Sequence, residues 1–216
     1  MSLLQQITQS LRALNYDFAA QEKPLPGLIE RYLLLIEKWN KIHNLTAIRN
    51  LQDMLYQHVM DSLAVLPHIN GPQIIDVGSG AGLPGIPIAL ARPDWQVSLV
   101  ESNQKKASFL QQIKIELALQ NVAVIGQRIE DIRLDKKVNT IITRAFSGLG
   151  EFIDLSRKLA VDNDENCRWV AMKANCSESE LKQIQRPFSI EKSVSLAVPG
   201  LDAARQLIII KKLTSD

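Results

Sequence analysis

The chain has 216 residues, 46% hydrophobic and 22% charged, which is the balance of a soluble globular protein with room for one α/β domain and a modest extension. A formal net charge of +2 is too small to announce a nucleic-acid partner, and no apolar run approaches the roughly 20 residues that a bilayer crossing needs. The opening "MSLLQQITQSLRALNYD" has neither a basic n-region nor a small-residue cleavage site, so a cytoplasmic protein with no membrane association is expected, in which Cys167 and Cys176 are idle thiols.

Residues 1 to about 70 are predicted to be helical. Leu3, Leu4, Ile7, Leu11 and Leu14 recur at helical spacing; after Pro24 and Pro26 a second stripe runs through Leu28, Ile29, Tyr32, Leu35, Ile36 and Trp39. A third segment extends from Leu51 through His58, Val59 and Leu63 to Pro67. No linker composition follows, so residues 1–70 are expected as a helical extension packed on residues 71–216. From Gly71 strands and helices alternate. Strands are predicted at Ile74 to Val77, Val97 to Val100, Val122 to Ile125, Thr140 to Thr143 and Arg168 to Met172. Helices are predicted at Ile86 to Ala91, Gln104 to Leu119, Leu149 to Val161 and Glu178 to Ile184. That succession implies an α/β fold with a parallel sheet covered on both faces. Phe188 to Ala197 and Gln206 to Lys211 follow without a helix and should pair antiparallel at the sheet edge. Such a Rossmann-like sheet, mostly parallel with a C-terminal antiparallel hairpin, is the layout of class I S-adenosylmethionine-dependent methyltransferases.

The first strand carries Asp76 and breaks into "GSGAGLPG", with glycines at Gly78, Gly80, Gly82 and Gly85. Glycine lacks a Cβ and adopts positive φ freely, so backbone in such a loop can approach a ligand closely. Glu101 ends the second strand, where an acid can take the two hydroxyls of an adenosine ribose. Gly80, Gly82 and Gly85 match the dinucleotide fingerprint, which presents a helix N-terminus to a pyrophosphate and would imply an NAD-dependent oxidoreductase. Asp76 argues against it. A carboxylate at the mouth of the loop repels a pyrophosphate but suits S-adenosyl-L-methionine, which bears an ammonium and a sulfonium and no phosphate. The alternative frame, Gly78, Gly80 and Gly82 directly after the strand and its acid, is the methyltransferase pattern. A P-loop needs Lys after its last glycine, and Ile86 follows Gly85.

In an open α/β sheet the ligand lies outside the carboxyl ends of the strands. After the third strand, "GQRIED" puts Ile129 and Glu130 where an adenine ring is sandwiched and its exocyclic amine bonded; Glu130 fits equally as an acid at a helix start. The fourth strand runs into Arg144, Ala145 and Phe146. A guanidinium ending a buried strand is costly unless it meets an anion, so Arg144 is expected on the cofactor carboxylate, on a substrate phosphate or in a structural ion pair. Lys173, ending the fifth strand, and Arg205, in the hairpin connection, are candidate phosphate contacts at the pocket rim. Lys105 with Lys106, and Lys136 with Lys137, read as solvated faces. His43, His58 and His68 are scattered without cysteine support, so no metal is expected, although His58 and Asp61 share a helix face. "TRAFSG" lacks the N-P-P-Y type motif of exocyclic-amine methyltransferases. A ring nitrogen such as guanine N7 has its lone pair free, needs alignment more than deprotonation, and requires no catalytic base.

Taken together the chain resembles the bacterial ribosomal RNA small-subunit methyltransferase G family, also called glucose-inhibited division protein B. The resemblance rests on "KWNKIHNLTAI" (Lys38 to Ile48), "HVMDSLAVLP" (His58 to Pro67), "DVGSGAGLPGIP" (Asp76 to Pro87), "RAF" (Arg144 to Phe146) and "VPGLDAARQLIII" (Val198 to Ile210). It implies methyl transfer from S-adenosyl-L-methionine to N7 of a guanine, position 527 in the 530 loop of 16S rRNA, with that rRNA or the small ribosomal subunit as partner. Carried over by motif, cofactor contacts fall on Gly78, Leu83, Ile129, Glu130 and Arg144, with Glu101 in the ribose position. The family often has Lys-Gly after the fifth strand, whereas here Lys173 is followed by Ala174. The alternatives are the oxidoreductase above and a non-catalytic rRNA-binding assembly factor that keeps the pocket without turnover. A monomer is expected, because no apolar helix face is left over.

Overall fold

The computed structural model describes residues 1–14, 25–133, 137–144, 146, 148–160 and 166–213; Pro24, Lys136, Ala145 and Val161 lie outside the described residues. Helix α1 (Leu3–Ala13) opens on Ser2, whose hydroxyl accepts the Gln5 N–H while the Gln5 side chain accepts the Ser2 N–H. Helix α2 (Leu25–His43) buries Ile29, Tyr32, Leu33 and Ile36 along one stripe. Trp39 lies half-buried on that helix, 5.5 Å from the Phe109 ring. The third segment is one rod with helical backbone angles at each junction: α3 (Leu51–Met54), a π-helical turn (Leu55–Met60) and α4 (Asp61–Leu63). A 3₁₀ turn, Leu66–His68, ends it.

The sheet strands are β1 (Gln73–Val77), β2 (Gln96–Val100), β3 (Val122–Ile125), β4 (Thr140–Thr143), β5 (Arg168–Lys173), β6 (Phe188–Ser195) and β7 (Gln206–Lys212). Helices α5 (Gly85–Ala91), α6 (Gln104–Glu116), α7 (Leu149–Ser156) and α8 (Glu178–Leu181) alternate with them. The order across the sheet is β3-β2-β1-β4-β5-β7-β6. β1 to β5 run parallel; β7 is antiparallel to β5, and β6 is antiparallel to β7. The expected class and closing hairpin are therefore present, with differences at helix ends. Helix α6 stops at Glu116, because Ala118 turns to a φ of 52° and cannot continue a helix. Helix α7 passes into a 3₁₀ turn, Arg157–Leu159, and α8 ends at Leu181.

Alternation along β1 sends Ile74 to one face and Ile75 and Val77 to the other. On the Ile74 face one continuous core joins α1, α2 and the rod to α5 and α6, through Ile7, Leu11, Ile29, Leu33, Ile86 and Phe109. On the opposite face Phe152 and Trp169 anchor a second core under α7. Leu34 and Ile42 of α2 and Ile115 of α6 are exposed. Among the described residues no helix is long and apolar enough to cross a membrane. Strand order reverses between β1 and β4, so the C-terminal ends of those two strands flank a crevice.

Candidate active site

The loop after β1 takes its shape from glycine: Gly78, Gly80 and Gly82 have φ of 71°, 57° and 93°. The Gly78 and Ser79 N–H groups donate to the Val100 carbonyl at 2.9 and 3.1 Å, and the Ser79 carbonyl accepts from Gly82 and Leu83 at 2.7 and 2.9 Å. Glu101 closes the loop onto β2. Its Oε2 accepts the Gly80 N–H at 2.9 Å and its Oε1 the Asn103 N–H at 2.8 Å, with the residue only 7% exposed. Asn103 in turn caps α6. A Cβ built on Gly80 meets nothing nearer than the Gly78 carbonyl at 3.9 Å, so the loop is open to a close-approaching ligand there.

Asp76 lies under this loop and not at its mouth. It is 0% exposed, since period-two alternation puts it on the Ile74 face that α5 covers. Its Oδ2 accepts the Gly85 N–H at 2.9 Å, the first residue of α5, while Oδ1 has no hydrogen-bond partner among the described residues. Burial pushes its carboxyl up to about 7 against the pull of the Gly85 hydrogen bond. Leu83, at the end of the loop, is buried. Ile129 is buried in the second core with Val77 and Val100, and Glu130 is exposed in the 3₁₀ turn Ile129–Asp131.

One contact to the loop comes from far away in sequence. The Tyr32 hydroxyl of α2 donates to the Ala81 carbonyl at 2.7 Å. Sequence periodicity places Tyr32 in a core stripe without assigning its hydroxyl; the available signal is that a buried tyrosine O–H needs a partner.

Arg144, Lys173 and Arg205 come together in an adjacent cleft of about 260 Å³, lined also by Gln57, His58 and Asp61. Arg144 Nη1 donates to the Gln57 carbonyl at 3.0 Å and lies 3.7 Å from Asp61 Oδ2; Arg205 Nε donates to Asp61 Oδ1 at 3.0 Å. The π turn makes the first of these bonds available: the Asp61 N–H goes to the Tyr56 and His58 carbonyls, passing over Gln57. The Lys173 ammonium donates to the Phe146 carbonyl at 2.8 Å and pairs with Glu180 at 2.6 Å. Arg144 thus has the structural ion pair and still lines the cleft.

The "NKIHNLTAI" block supports Arg144 from behind. Asn40 Oδ1 accepts the Thr46 N–H at 3.0 Å and its amide donates to the Ile48 carbonyl at 3.1 Å. Thr46 Oγ1 meets His58 Nε2 at 2.8 Å, and His58 Nδ1 faces Arg144 Nη2 at 3.5 Å. The His58 ring is thus set between the Thr46 hydroxyl and the Arg144 guanidinium. Burial, reinforced by Arg144, pushes His58 down to about 4. Among the described residues no group of three or more His, Cys, Asp or Glu is placed to hold a metal. Between β6 and β7, Gly200, at φ 78°, lies so close to Tyr56 of the π turn that a Cβ there would fall 2.3 Å from the ring. That contact seats the hairpin connection with Arg205 against Asp61.

A family model described as rRNA small subunit methyltransferase G matches residues 27–209. Ribosomal RNA small subunit methyltransferase G of Nitrosomonas eutropha is 51% identical over 211 residues, covering 98% of each chain. The Nitrosospira multiformis protein of the same name is 55% identical over 186 residues, 84% of this chain and 86% of its own. In fold, TrmN from Thermus thermophilus superposes with a TM-score of 0.55 at 13% identity, covering 71% of this chain and 48% of that one. The match to residues 27–209 spans the helical Asn40–Thr46–His58 support, the glycine loop and the Arg205 connection, and the chain belongs to the rRNA small subunit methyltransferase G family.

Proposed function

We propose that the protein is an S-adenosyl-L-methionine-dependent rRNA methyltransferase acting on N7 of a guanine, position 527 in the 530 loop of 16S rRNA. The observation that carries the choice of cofactor is the Asp76 to Gly85 hydrogen bond. A dinucleotide fingerprint works by offering the first N–H groups of its helix to a pyrophosphate. Here the Gly85 N–H is already held by a buried carboxylate. An NAD-dependent oxidoreductase is disfavoured on that ground, whereas a cofactor without phosphate loses nothing.

When bound, S-adenosyl-L-methionine supplies an electrophilic methyl group and leaves as S-adenosylhomocysteine. The chain's residues bind and orient. Glu101 takes the ribose hydroxyls, Gly78, Gly80 and Leu83 line the backbone cradle, and Asp76 fixes that cradle from beneath. Ile129 packs on the adenine, with Glu130 at its amine. Arg144 serves the cofactor at the cofactor's carboxylate, Arg205 on the same Asp61 faces the phosphodiester side of the substrate, and Lys173, paired with Glu180, completes the rim. Guanine N7 has no proton to lose, so these groups gain rate by proximity and orientation and none is assigned as a catalytic base. The reading makes the small ribosomal subunit or its rRNA the partner, a monomer the working form and the cytoplasm the location.

The test is mass spectrometry of small-subunit rRNA for 7-methylguanosine, from cells with and without this protein, mapped by fragment to position 527. The nucleoside is expected to disappear without the protein and return with it. An unchanged nucleoside overturns the substrate assignment, and rescue of a growth defect by Glu101→Ala without methylation would favour the assembly-factor reading.

A further inference from the structure

The glycine loop is held on three sides by its own neighbourhood: Val100 carbonyl, Glu101 carboxylate and the Ser79 turn. On its fourth side the tether is the Tyr32 hydroxyl, which donates to the Ala81 carbonyl. Tyr32 is wholly buried, and burial raises its hydroxyl well above the ordinary phenol range, so it stays protonated and can only donate to a carbonyl. The neighbouring Arg31 guanidinium donates to the Glu116 carbonyl, in the last turn of α6. Adjacent residues of α2 therefore grip the cofactor loop and the end of the helix that Glu101 and Asn103 start.

We infer that Tyr32 is a positioning residue for the cofactor: the helical extension presets the glycine loop through a single hydroxyl. The inference rests on the assignment of the loop as the cofactor site. A loop with three residues at positive φ has many conformations to lose on binding a ligand, and a donor fixed on Ala81 removes part of that loss in advance. Tyr32→Phe keeps the buried ring and deletes only the donor, leaving the Ala81 carbonyl unpaired.

The experiment is calorimetric titration of the full chain with S-adenosylhomocysteine, with steady-state kinetics on small subunits. Four proteins are compared: wild type, Tyr32→Phe, Glu101→Ala as a direct contact, and Leu33→Ala as a packing control on the same helix. Tyr32→Phe is expected to weaken S-adenosylhomocysteine about tenfold and to raise KM for S-adenosyl-L-methionine in step. Its kcat at saturating cofactor and its KM for subunits should hold. Leu33→Ala should lower the melting temperature more than Tyr32→Phe while leaving the S-adenosylhomocysteine affinity within about twofold. Wild-type affinity in Tyr32→Phe beside a weakened Glu101→Ala overturns the tether alone. Equal loss in Leu33→Ala also overturns it, since general loosening would then suffice. Wild-type affinity in Glu101→Ala strikes the loop assignment itself.

Discussion

His58 and Asp76 are buried titratable groups whose shifts oppose each other. In the folded chain His58 titrates near 4, below its ordinary 6.5, so the unfolded state takes up the proton first. Its contribution to stability is complete above pH 6.5 and is lost as pH falls toward 4, a change of roughly 3 kcal/mol. Asp76 is raised from 3.8 to about 7, so the folded state prefers its protonated form and stability falls as pH rises through that interval. The two slopes mask one another in the wild type. Subtracting a variant separates them: His58→Gln should lose the acid-side dependence, so the difference in unfolding free energy from wild type shrinks between pH 6.5 and 4.5 in urea titrations. A constant difference across that range would mean that the ring is not held neutral. Gly78, Gly80 and Glu101 were legible in sequence because a glycine run and an acid at consecutive strand ends follow local grammar. The depth of Asp76 is legible too, by counting alternate residues from Ile74, whereas its charge taken alone points to the loop mouth. Tyr32 and Thr46 were not, since a side-chain bond to distant main chain or to another helix leaves no period in the sequence.

Between elements one close contact is Gly200 on Tyr56, where the β6–β7 connection meets the rod. Gly200→Ala meets two obstacles, a left-handed backbone and a ring at 2.3 Å. The expected loss of stability is about 2 to 4 kcal/mol. Adding Tyr56→Ala should recover the steric part and leave the backbone part, so a double-mutant cycle by thermal unfolding should return favourable coupling of at least about 1 kcal/mol. Additive losses would show that the ring is not the obstacle. The hairpin and its antiparallel sense could be read from two strand patterns with no helix between them. The π turn could not: over the six residues Leu55–Met60 its apolar spacing does not differ usefully from that of an α-helix, and only the Asp61 N–H partners reveal it.

On the scale of the molecule, residues from both halves of the chain fill one core, and we treat residues 1–70 as inseparable from the rest. Removing them would uncover Ile86, Leu90, Phe109 and Leu110, which now pack in the same cluster as Ile29, Leu33 and Ile36. A fragment of residues 71–216 is expected to be insoluble or to lack a cooperative melt, whereas a fragment that melts cooperatively would show that the core shared with the extension is dispensable. The sheet order was foreseeable from alternating strands and helices, but which face the extension covers was not, because an amphipathic helix says what it buries and not against what. The rod adds a constraint of a different kind. Each residue of a helix advances the next by about 100°, and the π turn offsets Asp61 from where ordinary winding would aim it. Deleting one residue between Leu55 and Met60 would let the wide turn close to an α-helical one, since five α steps of about 100° span nearly the arc of six π steps; Asp61 would keep its aim, and the loss would fall on the carbonyl that now accepts from Arg144. The extra residue of this segment thus serves a main-chain acceptor and not a direction, and removing it would trade one partner of Arg144 for one more bond inside the helix.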